Sequence, residues 1–198
     1  MENILKKYQQ KFKKVREEMD NWEDIQSRLL SQFSNASSII GRIEVIGNKK
    51  NYGCLKGVDG IEDAVLQKQM ESLETILLSI KKTMEDFHSI VLSLEKMVRD
   101  SRQLAGRGSH VLSTKQLQQR VGIKPSLSDC LDGLAILQEM HSSEYRLKSS
   151  VVSALLSIAL KPSSKDLGAL RQLLFDQPNI PRDEVQLIYD IIFAEDIS

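Results

Sequence analysis

Apolar residues recur at alternating steps of four and three along positions 66–98: Leu66, Met70, Leu73, Leu77, Ile80, Met84, Phe87, Val91, Leu94 and Val98. That period is the seam of a helix that packs on a neighbour along its length. Neither Gly nor Pro interrupts it, so it predicts one central helix of about 33 residues and about 50 Å. A second seam precedes it, with Leu5, Tyr8, Phe12, Val15, Met19, Trp22, Gln26, Leu29, Phe33, Ala36, Ile40 and Ile43. It predicts a first helix from Glu2 to Ile40 or Ile46. Gln26 is its single polar member, either a register-setting position or a gap covered by Ile25. Two seams of similar length predict an antiparallel hairpin. The central helix would then offer outside partners its other flank, with Ile76, Ile90 and Met97.

Punctuation sets the remaining elements. Five glycines between Gly41 and Gly60 predict a long loop, and Asp59 with Glu62 predicts a cap on the central helix. Arg99 and Arg102, with Gly106 just beyond, mark its other end. Ser113 introduces a short helical piece over Thr114 to Arg120. The run Pro125-Ser126-Leu127-Ser128-Asp129 opens a third long helix, with Ser126 accepting from first-turn amides and Asp129 answering it. Leu127, Leu131, Leu134, Leu137, Leu147, Val151, Leu155 and Ile158 give that helix a core face. A polar waist at 138–150 interrupts the face, and it is either a solvated stretch or a contact surface. Pro162 ends the helix. Two short amphipathic helices follow, one from Lys165 to Phe175 and one after Pro181. The fold class is therefore all-α, a long antiparallel helical bundle of three long helices plus two short C-terminal ones. Residues 1–160 are expected to form the bundle and 161–198 a small helical pair.

Composition narrows the function by exclusion. Lys plus Arg and Asp plus Glu balance at 27 each, so bulk charge argues neither for nucleic acid nor for a membrane surface. The first 25 positions are saturated with charge and no apolar segment follows them, so no secretory leader is expected. The most apolar run, 151–160, is about half the length of a membrane span. A soluble, intracellular protein with reduced Cys54 and Cys130 is expected. Lys7, Lys11 and Lys14 share one stripe of the first helix, a candidate contact for phosphates or an acidic partner. A solvated flank beside a buried seam is the commoner use of such a stripe, and no aromatic residue interleaves it. His88, His110 and His141 have no second metal ligand at helical spacing except the His141–Glu144 pair, which makes no site alone. No phosphate loop, nucleophile elbow or Cys–His signature is present. Neither an enzyme, a cofactor nor a metal is expected.

Within the third helix the run Pro125-Ser126-Leu127-Ser128-Asp129-Cys130-Leu131, then Glu144-Tyr145-Arg146-Leu147-Lys148 and Leu155-Leu156, resembles the AIRIM family, the AAA-ATPase-interacting ribosome maturation factors. The N-terminal helix with Trp22, the central heptad helix and the acidic tail around Asp183 to Glu195 are also similar to that family. The glycine-rich stretch at Gly41 to Gly60 departs from it. The resemblance implies a non-enzymatic subunit that binds a type II AAA ATPase together with a second helical adaptor of the cyclin-dependent-kinase-interacting family. It implies a role in large-ribosomal-subunit maturation, in nucleus and cytoplasm; from composition, neither a nucleic acid as direct ligand nor a membrane is expected. The residues expected to touch a partner are Tyr145, Arg146 and Lys148 in the waist, with Trp22; Lys7, Lys11 and Lys14 form the candidate basic contact. Rival readings are a structural coiled-coil subunit of a tethering or kinetochore complex, or an RNA-contacting ribosome assembly factor.

Overall fold

A computed structural model describes residues 2–48, 50–53, 60–106, 113–120, 122–160 and 166–194. Among them are six helices and no strand: α1 (Glu2–Ile46), α2 (Ile61–Gly106), α3 (Thr114–Gln118), α4 (Leu127–Leu160), α5 (Leu167–Asp176) and α6 (Arg182–Ile192). The all-α architecture with three long helices is as the seams predict. The 45 residues of α1 run straight through Gly41, so the expected loop starts at Gly47 instead. One glycine inside a helix costs only about 0.5–1 kcal/mol, and the burial of Ile40 and Ile43 on either side of it favours continuation of the helix. The Asp59 cap, Cys54 and His110 lie outside the described residues.

The helix starts follow from local hydrogen bonding. At α4 the Ser126 amide donates to Asp129 Oδ2 at 2.9 Å, and the Asp129 amide donates to Ser126 Oγ at 3.1 Å. This reciprocal box satisfies two first-turn donors that the helix itself leaves unpaired. Ser113 and Gln116 build the same device at α3. Arg120 then reaches Asp129 Oδ2 at 2.9 Å, which ties the α3 segment to the start of α4. No helix among the described residues is long and apolar enough to cross a membrane.

The chain divides into two compact units, and α1, α2 and α4 each contribute to both. The first unit holds Met1–Glu23, Phe87–Tyr145 and Gln177–Ser198. Within it α1 and α2 run antiparallel, with Tyr8 donating its hydroxyl hydrogen to the Ser101 carbonyl at 2.8 Å and Ser93 donating to Glu18. Its core is aromatic: Trp22 lies edge-on to Phe87 at 4.5 Å and to His141 at 4.9 Å. Here α6 docks on α1 and α4 where Gly133 has no side chain. A Cβ there would sit 3.0 Å from Ile188 and 3.2 Å from Phe12. Arg16 holds the same helix from the other side, its guanidinium 4.4 Å above the Tyr189 ring.

The second unit holds Asp24–Asp86 and Arg146–Asp176. The antiparallel pairing of α1 with α2 is marked here by an Arg28–Asp86 ion pair and by Arg42 donating to Gln69 at 2.8 Å. Its α5 lies along α1, with Arg171 donating to Ser34 at 3.3 Å and Leu174 buried. The two short C-terminal helices, expected as one pair, thus belong to different units, α5 to the second and α6 to the first.

Candidate protein-interaction groove

The polar waist of α4 is neither a solvated stretch nor an open contact surface throughout. Lys148, in the second unit, is fully buried and its ammonium donates to Gln26 Oε1 at 2.7 Å. Gln26, itself 3% exposed, donates its amide hydrogen to the Leu174 carbonyl at 2.6 Å. One buried amide thus joins α1, α4 and α5, the register-setting use of a polar seam position. In the first unit Glu144 is buried and accepts from the backbone and side-chain nitrogens of Asn179, both at 3.1 Å. His141 donates from Nδ1 to the Leu137 carbonyl at 2.7 Å.

The residues expected to meet a partner are accordingly dispersed. Trp22 is 1% exposed and donates its indole hydrogen to Gln177 Oε1 at 2.8 Å. Gln177 adopts a φ of 45°, a left-handed conformation that non-glycine residues rarely take; the indole bond holds it there. Neither Trp22 nor Lys148 has exposed surface in this arrangement. Tyr145 is half-buried and stacks on His88 at 5.3 Å, and only Arg146 is exposed.

Lys7, Lys11 and Lys14 do come together. They line a polar cleft of about 640 Å³ between α1 and α2 of the first unit, where Lys96 joins them from α2. The cleft also carries Asp100, Glu17 and Glu18, which offset much of its charge.

The larger opening is apolar and lies in the second unit, between α2 and α4. It encloses about 850 Å³. Leu73, Met84 and Ala159 form its buried floor, and Met70, Leu78, Leu156 and Leu160 stand exposed around it. Met70 is 45% exposed, Leu78 63% and Leu160 86%, values that a closed core does not show. Ile90, placed by the sequence on the outward flank of α2, is buried. Ile76 and Met97, placed on the same flank, are half-buried, while at the start of the seam Met70 is exposed and Leu66 half-buried. A contiguous apolar concavity of this kind is a candidate surface for a partner or a ligand. The doublets Leu77-Leu78 and Leu155-Leu156 were the available sequence signal, since each adds an apolar residue beside a seam already satisfied.

Burial, reinforced by Asp129, pushes the Cys130 thiol up to about 12, which suppresses the nucleophilic thiolate at neutral pH. Among the described residues no cluster of three or more His, Cys, Asp or Glu could hold a metal ion.

The family described as Ribosome biogenesis protein C1orf109-like matches residues 2–197, nearly the whole chain. The chain belongs to that family. No curated protein matches it. AIRIM is the name of the C1orf109 family, so the resemblance carried by the α4 block is borne out, and ribosome biogenesis is the process in which the chain takes part.

Proposed function

We propose that this C1orf109-like chain is a non-enzymatic adaptor in large-ribosomal-subunit maturation. It pairs with a second helical subunit and recruits a type II AAA ATPase, in nucleus and cytoplasm. The observation that carries this reading is the open apolar groove between α2 and α4. An adaptor keeps apolar surface uncovered in the free chain, whereas a catalytic cavity gathers convergent polar or titratable groups. The groove lining is dominated by Leu, Met, Val and Ala. The test is a full-length double substitution, Leu78→Glu with Leu156→Glu, at two exposed positions. Circular dichroism should be unchanged while co-purification of the AAA ATPase falls by about tenfold or more, as expected when two interface anchors are lost. Undiminished co-purification with the double variant would remove the groove from the mechanism.

A further inference from the structure

We infer that the groove takes one amphipathic helix of a partner protein, with basic residues along the flank that meets Glu71 and Glu74. This rests on the adaptor reading above and specifies what its second subunit must present. Three features of the second unit lead there.

The first is shape. The α2 wall from Gln67 to Met84 spans about 25 Å at 1.5 Å per residue, long enough for a helix of three to four turns. Long helices on two sides and a buried apolar floor are how a helical bundle looks with one member absent.

The second is the distribution of charge. Glu71 and Glu74 stand exposed on the α2 rim, about one turn apart, and Lys81 lies about two turns further along the same rim. The α4 rim, with Ser149, Val152, Leu156 and Leu160, carries no charge at all. Among the described residues no ion pair forms at Glu71, Glu74 or Lys81; the Glu71 carboxylate accepts from the Gln67 amide at 3.0 Å. One charged rim and one neutral rim tell the two flanks of an incoming helix apart, and the acid-to-base order along α2 sets its direction. The matching helix has a stripe at i, i+3, i+4 and i+7, basic residues on one flank, and an acidic residue about two turns from them.

The third is what the same face cannot do alone. In a second copy of the chain this surface is equally concave, so two grooves set face to face leave both floors uncovered. A protruding helix covers them.

The test uses the full chain and two synthetic peptides of about 18 residues, with the same leucine stripe and either Lys or Glu on the flanking positions. Binding is read by fluorescence anisotropy at low salt. The Lys peptide should bind about tenfold tighter than the Glu peptide, the effect of two rim ion pairs. Glu71→Lys with Glu74→Lys should invert that preference, and Leu78→Glu with Leu156→Glu should abolish binding of both, each variant first shown to keep its circular dichroism. Equal affinities, or binding indifferent to the leucine substitutions, would overturn the inference. So would a concentration-dependent dimer in sedimentation that the leucine substitutions dissolve, because the occupant is then a second copy. Peptide selectivity without ATPase co-purification supports the helix-binding groove and removes the adaptor reading. ATPase capture without selectivity does the reverse.

Discussion

The two halves of α2 carry the same four–three apolar period and end in different environments. In the first unit Phe87, Val91, Leu94 and Val98 are all buried. In the second unit Leu73, Ile80 and Met84 are buried, but Met70 is exposed and Leu66 and Leu77 are half-buried. Period alone therefore states that a face is apolar and not what covers it. The covering depends on where the third helix runs and on which short helix docks. One region has its apolar demand met within the chain, and the other keeps part of it unmet.

The comparison can be broken most directly by truncation. Phe87→Ala in the closed unit should cost about 3–5 kcal/mol in urea unfolding followed by circular dichroism, through lost burial and a residual cavity. Leu78→Ala in the open unit should stay within about 0.5 kcal/mol, as for an ordinary surface change. Similar costs at both positions would mean that the second unit is not open in solution.

A second, smaller effect asks what orders the open unit in place of full apolar cover. Gln26→Ala removes the acceptor beside the Lys148 ammonium and the donor to the Leu174 carbonyl. The expected loss is about 1–3 kcal/mol, the cost of leaving buried polar groups short of a partner. A neutral result would show that the apolar contacts of α5 suffice. The smallest effect concerns the closed unit and its entry into α4. Burial raises the Asp129 carboxyl, but hydrogen bonds from Ser126 and the Arg120 guanidinium outweigh it and hold the group below its ordinary value. A folded-state value depressed in this way gives stability that is complete above the unfolded value, near 3.9. That stability is lost as pH falls through the folded value. Asp129→Ala should therefore cost about 1 kcal/mol at neutral pH, and the gap from the unsubstituted protein should close below about pH 4. A gap that persists in acid would point to packing rather than to the cap.

Much of the fold is legible in the residue pattern because its signals are local. Seams, Ser113 with Gln116 and Ser126 with Asp129 act within one or two turns. The candidate site is less legible because it is a matter of partners. Glu144 and Lys148 read as surface residues by type, and only the third dimension supplies Asn179 and Gln26 to make their burial tolerable. Trp22 is conspicuous in a chain poor in aromatics, yet its indole is committed to Gln177 and its ring to Phe87 and His141. Met70 and Leu94 are indistinguishable as seam members. One is exposed and the other is not, and nothing within a turn of either records the difference.

Trp22 is also the single tryptophan of the chain, so all indole emission comes from one sealed position. Light emitted from a dry aromatic niche is shifted to the blue, and any opening of the first unit would move it to the red. The protein thus carries its own optical gauge of one region. Trp22 is not among the residues that line the second unit's groove, so the gauge reports on the first unit without an attached dye.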